Sequence, residues 1–131
     1  KRGINISYKN DGKNKYLIYG IENRIEQIIA NLLDNAISFS DDDKDVIVQV
    51  SKSEDSKVYI KILDEGQGFK EKDTNKIFKR FYSNRPDKFG QHSGLGLNIV
   101  KNLVDLHNAT IKATNREDKK GASMEIEFPK V

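Results

Sequence analysis

The sequence has 131 residues, 36% hydrophobic and 33% charged, with 23 basic and 20 acidic side chains and a net charge of +3. That length suits one domain with a single core, and the charges are interspersed rather than drawn into the basic stripe of a nucleic-acid footprint, so no nucleic-acid partner is expected. Cysteine is absent, which excludes a disulfide framework, a thiolate zinc site and a cysteine nucleophile and fits a reducing compartment. No apolar run approaches the ~20 residues of a membrane span, and the first residue is Lys rather than Met, so the chain is expected to be a piece of something longer.

In chain order, "INISYK" and "KYLIY" have the composition of two short strands joined by the polar turn "NDGKN". A helix is expected from Ile21 to Ser40, ended by "SDDDKD". "VIVQV" (Val46 to Val50) and "VYIKILD" (Val58 to Asp64) are strands around the turn "SKSEDS". Glu65 to Ser93 has little regular pattern beyond one possible short helix, "TNKIFKRFY", and a loop that long in a small domain is usually a lid or binding loop. A second helix is expected from Leu95 to His107, with Ile99, Val100, Leu103, Val104 and Leu106 as its apolar stripe. "ATIKATN" and "ASMEIEF" then form a strand pair around "REDKKG". This order predicts an α/β two-layer sandwich with the helices on one face of a mixed sheet.

The first helix carries an unusual polar strip. Gln27, Asn31, Asp34, Asn35 and Ser38 fall within an arc of about 100°, while Ile25, Ile28, Ile29, Ala30, Leu32, Leu33, Ala36 and Ile37 fill the opposite side. A solvated face is the plain explanation, yet such faces are normally filled with Lys, Glu or Arg. Each Asn costs on the order of 0.6 kcal/mol of helix propensity relative to Ala. Asn31 and Asn35, at i and i+4, can point their amide oxygens at one place. Uncharged oxygen ligands suit Mg2+ that is already held by phosphates and keeps most of its waters.

Two glycine clusters follow. In "ILDEGQGF", Asp64 shares the parity of Val58, Ile60 and Ile62, so its carboxylate should face the core side. Gly66 and Gly68 permit positive φ and let a flat ligand approach the backbone. A carboxylate beside such a notch can accept a hydrogen bond from the exocyclic amine of adenine; an ordinary turn is the alternative. In "FGQHSGLGLNIV", Gly90, Gly94 and Gly96 lead into a helix whose free N–H groups attract anions. It is neither a P-loop nor a good dinucleotide fingerprint, since no Gly-Lys-Ser/Thr follows and no strand directly precedes it.

Taken together, "NLLDNA", "DEGQGF", "IFKRFY" and "GLGLNIV" resemble, in order and at normal spacing, the four signature boxes of the ATP-binding catalytic domain of bacterial sensor histidine kinases, and "EIEFP" resembles that domain's closing strand. "FYSNRP" with "FGQHSGLGL" is similar to the ChvG-type branch of that family. The resemblance implies a Bergerat ATP-binding fold over residues 1–131 with an ATP lid at about 70–93. It implies ATP and Mg2+ as cofactors. Asn35 would ligate Mg2+, Asn31 would lie near the phosphates and the attacking group, and Asp64 would read the adenine amine with Gly66, Gly68 and Phe69 around it. Backbone groups of Gly94, Leu95, Gly96 and Leu97 would lie against the phosphates. Phe78 and Phe81 would anchor the lid, with plain core packing as the alternative, and Arg80 and Arg85 are candidates for the γ-phosphate.

The chain departs from many relatives in one place: Ser38-Phe39 stands where they have Lys-Tyr. Ser38 offers a neutral hydrogen bond where the Lys would add charge at the phosphates, and Phe39 keeps a ring beside the base without its hydroxyl. Lys79, Arg80 or Arg85 would then have to compensate, or affinity is modest. Asn31 also stands where ATPases of the superfamily have a Glu base, and an amide cannot take a proton, so slow hydrolysis and phosphoryl transfer to a histidine are expected. No acceptor is expected in the chain: His92 lies in the lid, and His107 is expected to pack or cap. The resemblance places the phosphorylated histidine on a separate dimerisation domain that also serves the response regulator. It implies a monomeric fragment of a homodimeric parent in the bacterial inner membrane, with this domain cytoplasmic. An anti-sigma-factor-type serine kinase and a non-catalytic nucleotide-responsive module are the rival readings.

Overall fold

Ile28, Leu32 and Ala36 recur every fourth residue and form the buried line of helix α1, Glu22–Phe39. Val100 and Val104 do the same for helix α2, Gly96–Leu106. The helices pack on each other, α1 against strands β2 and β3 and α2 against β4. The structure, a computed structural model, describes residues 5–9, 16–40, 43–69, 74–78 and 96–131. Among these, the strands are β1 (Asn5–Lys9), β2 (Asp45–Lys52), β3 (Val58–Leu63), β4 (Thr110–Asn115) and β5 (Ala122–Phe128), in the sheet order β1-β2-β3-β5-β4. β1 pairs with β2 in parallel and every other pair is antiparallel, so the sheet is mixed, as expected.

The register sorts the side chains by face. Val48, Ile62, Met124 and Ala113 lie in one cross-strand row and Val50, Ile60, Ile126 and Ile111 in the next, and both rows belong to the core under the helices. The alternate row, Gln49, Lys61, Glu125 and Lys112, is polar. Its Lys61–Glu125 pair, at 3.9 Å and half-exposed, adds little stability. The stabilisation lies in side chains such as Phe128, Ile28 and Leu32, all with under 2% of their surface exposed. Truncating Leu32 to Ala in such a site costs about 2–5 kcal/mol.

Three expectations need correction: a strand, one residue of α1, and Ile99 and Leu106 of α2, which are exposed rather than part of a buried stripe. Residues 16–19 of "KYLIY" form no strand. Tyr16 and Ile18 pack against the core while Leu17 and Tyr19 are exposed, so a coil lying along the core reproduces the alternation of a strand. β1 consequently finds its neighbour in β2, across the connection that contains α1. Ala30 is also exposed rather than on the apolar side of α1. The N-terminus of α1 is satisfied from a distance: its cap residue, Ile21, has no side-chain acceptor, and the Ile21 N–H donates to Nε2 of His107 at 3.1 Å. The other ring nitrogen of His107, Nδ1, donates to the Leu103 carbonyl at 2.7 Å. His107 thus caps α1 from the end of α2, the capping role expected of it.

Candidate functional site

β3 ends at Leu63, and Asp64 is where the chain leaves the ladder. Its N–H still donates to the Ala122 carbonyl at 3.0 Å, as the next rung of the β3–β5 pairing. The return bond is different: the Ala122 N–H donates to the carboxylate oxygen Oδ1, at 3.0 Å, and the Gly66 N–H donates to the same oxygen at 2.9 Å. Asp64 is 4% exposed, so two charge-assisted bonds in a poorly solvated place fix its rotamer. Its own carbonyl, released from the ladder, accepts from Arg116 Nη1 at 3.1 Å.

The end of α1 is fastened to this loop. Ser40 and Gly66 form an isolated antiparallel bridge, and the Glu65 N–H donates to Ser40 Oγ at 3.3 Å. Gly66 is required here by close approach rather than by positive φ, since a Cβ on it would stand 2.2 Å from the Phe39 carbonyl oxygen. Gly68 does take positive φ, +78°, and a Cβ there would meet Asn115 Oδ1 at 2.5 Å. Phe39 and Asn115 thus stand closest to the positions that side chains on these two glycines would take. Asn115 behaves as a strand partner: the Phe69 N–H donates to its Oδ1 at 2.6 Å and its Nδ2 donates to the Phe69 carbonyl at 3.1 Å.

Glu65 closes the outer side. Its Oε2 accepts from the Asp45 N–H at 2.9 Å and its Oε1 lies 3.7 Å from Lys119 Nζ. The Asp45 N–H, more than the nearby cations, holds this carboxyl below the ordinary glutamate range despite burial.

Among the expected site residues, the structure brings Phe39, Asp64 and Gly66 to one seam between the end of α1 and the end of β3, seats Gly68 and Phe69 against Asn115 at the end of β4, and leaves Ser38 in the last turn of α1. Asn31 and Asn35 lie further back on α1, half-buried, whereas Gln27 and Asp34 of the same strip are exposed. Gly96 and Leu97 open α2. Asn98 Nδ2 donates to the Phe78 carbonyl at 3.2 Å, tying α2 to the 3-10 helix Thr74–Phe78. Phe78 is buried in the core. Lys79, Arg80, Phe81, Arg85, Gly90, His92, Gly94 and Leu95 lie outside the described residues, as does most of the expected lid.

The donor set decides what cation fits. No group of three His, Cys, Asp or Glu side chains able to hold a metal occurs among the described residues. The amides of Asn31 and Asn35 fit a hard cation that brings phosphate and water ligands with it, not a cage built by protein alone. A cavity of about 350 Å3, lined by Leu17, Lys52, Ser56, Val58, Lys130 and Val131, lies at the far end of β3 and has no part in this seam.

Sequence reasoning missed Ser40, Asn115, Arg116 and Gly121. Asn115 had a signal: it shares parity with Ile111 and Ala113 on β4, so a polar amide occupies a core-facing register position. Gly121, at φ +142°, lies where a Cβ would stand 2.0 Å from the Asp64 carbonyl oxygen, and nothing local in "REDKKG" marks that approach.

A family model described as histidine kinase-, DNA gyrase B-, and HSP90-like ATPase matches residues 20–131. The sensor protein ChvG of Agrobacterium fabrum is 36% identical over 128 residues, covering 92% of this chain and 21% of that protein. The chain spans about one fifth of the length of the curated ChvG relatives it matches. The catalytic domain of the histidine kinase ThkA, in a nucleotide-free form, superposes with a TM-score of 0.80 at 26% identity, covering 97% of this chain and 79% of that one. Full-length ShkA in complex with AMPPNP superposes at 0.79, also at 26% identity, covering 97% of this chain and 26% of that one.

Proposed function

Because the chain belongs to the family of histidine kinase-, DNA gyrase B-, and HSP90-like ATPases, we propose that it binds Mg-ATP and transfers the γ-phosphoryl group to a histidine on a separate domain. The observation that carries this reading is Asp64, whose carboxylate is pinned by the N–H groups of Gly66 and Ala122 at the seam with α1. A carboxylate so fixed accepts from the adenine 6-amine and does not reorganise on binding. Asn35 would hold the Mg2+, with Asn31 beside the phosphates, and the cation would neutralise charge on the β- and γ-phosphates. Backbone N–H groups at the start of α2, Gly96 and Leu97, would face the phosphates with the helix dipole behind them.

In the transfer, the bond from the γ-phosphorus to the β-γ bridging oxygen breaks and a bond to an imidazole nitrogen forms. That nitrogen brings its own lone pair, so no residue of this chain has to act as base. Asn31 has no proton-accepting capacity, which favours the kinase over an ATPase. The acceptor domain, the response regulator it serves and a membrane-anchored dimeric parent are parts of the same proposal.

The test supplies the chain with the histidine-bearing helical hairpin of its parent and γ-labelled ATP. Acid-labile, alkali-stable label on the hairpin is the expected result. Acid-stable label on a serine of a partner, or ATP hydrolysis without protein labelling, would overturn it.

A further inference from the structure

The turn between β4 and β5 holds a guanidinium, that of Arg116, which reaches the Asp64 carbonyl. The Arg116 side chain is 5% exposed. Keeping such a charge from water is costly unless its donors are used. Nε and Nη2 donate to the two carboxylate oxygens of Asp118 at 3.0 and 2.9 Å, a fork that fixes the plane of the guanidinium. Nη1 is thereby aimed at the Asp64 carbonyl, 3.1 Å away. The turn is drawn tight under it, because the Arg116 N–H donates to the Gly121 carbonyl at 2.9 Å. Gly121 lets the Asp64 backbone come closer than any side chain would permit.

Asp64 is therefore held at its N–H by Ala122, at its Oδ1 by Ala122 and Gly66, and at its carbonyl by Arg116. The peptide after Asp64 has left the ladder, and it is held at its N–H by Ser40 Oγ, at 3.3 Å, and at its carbonyl by Arg116, at 3.1 Å. Rotation there would swing the Gly66 N–H off the carboxylate. We propose that Arg116, oriented by Asp118, is a positioning residue for purine selection, locking the peptide that aims the Asp64 carboxylate at the 6-amine. This rests on the adenine-reading role given to Asp64 above. Arg116 does not touch the nucleotide.

Calorimetric titration with ADP and with purine riboside 5′-diphosphate, which lacks only the 6-amine, tests it on the parent chain, Arg116→Met and Asp64→Asn. Met keeps the aliphatic stem that packs beside Gly121. Arg116→Met is expected to lose about tenfold of the preference for ADP over the amine-free diphosphate, the scale of one hydrogen bond to a charged group. An unchanged preference, or equal weakening of both nucleotides, would overturn the positioning role. If Asp64→Asn keeps the parent's preference, the adenine reading itself fails. If Asp64→Asn loses it and Arg116→Met does not, only the role of Arg116 is lost. Should Arg116→Met not fold, Arg116→Lys replaces it, because an ammonium cannot span Asp118 and the Asp64 carbonyl together. A reduced preference supports the proposal and a parental one overturns it.

Discussion

Asp64 and Ala122 are joined by two hydrogen bonds of 3.0 Å, one from the Asp64 N–H to the Ala122 carbonyl and one from the Ala122 N–H to the Asp64 carboxylate. The side chain thus takes the ladder position that a carbonyl would normally hold. Asp64→Asn keeps an acceptor oxygen for that rung, so its melting temperature should stay near the parent's. Its other atom becomes a donor facing the adenine amine, itself a donor. ADP affinity should fall by at least about tenfold, from the loss of a charge-assisted bond. Calorimetry showing parental affinity in a folded Asp64→Asn chain would remove the adenine assignment.

The glycines separate close packing from helix propensity. Gly121→Ala puts a Cβ 2.0 Å from the Asp64 carbonyl oxygen at φ +142°, and backbone cannot give way as a flexible side chain can. It should cost about 2 kcal/mol or more. A Cβ at Gly96 meets nothing within 4 Å among the described residues. Gly96→Ala should remain within about 0.5 kcal/mol of the parent. Urea denaturation of both variants checks the contrast, and equal stability would mean that the β4–β5 turn yields at Gly121.

Periodicity made both helices and strands β2 to β5 legible, because each buries one face and the burial spacing of 3.6 or 2 is written in the residues. It failed at "KYLIY", where Tyr16 and Ile18 touch the core although residues 16–19 form no strand. Periodicity reports burial and does not report hydrogen bonding. The polar strip of α1 stood out because its amides replace the charges of an ordinary solvated face, and the Asp-x-Gly-x-Gly turn because two glycines follow a strand-end carboxylate, although both glycines also serve close packing. The supports of Asp64 did not stand out. Arg116 and Gly121 act from 52 residues and more away, through a carbonyl that any residue would supply. Ser40 looked like a helix end and proved to be one side of the Ser40–Gly66 bridge.

Glu65 gives the seam a dependence on pH. Its folded carboxyl titrates below the ordinary range, chiefly through the Asp45 N–H. Its contribution to stability is therefore complete above the unfolded-chain value and is lost as pH falls through the folded one. The parent should lose more stability than Glu65→Gln between about pH 5 and pH 3. Asp118 and Asp55, also held low, titrate in both proteins and cancel in the comparison. Urea midpoints across that window measure the difference, and parallel curves would show that Glu65 contributes nothing.

The central claim is that α1 and the loop after β3 together hold an adenine nucleotide through neutral amides and one fixed carboxylate. Calorimetric titration of the chain with ADP, with and without Mg2+, tests it most directly, run beside Asn35→Ala. Saturable binding that Mg2+ strengthens in the parent, and no longer strengthens in Asn35→Ala, is the expected result. Flat titrations at millimolar ADP in both conditions, or the same Mg2+ effect in both proteins, would contradict it.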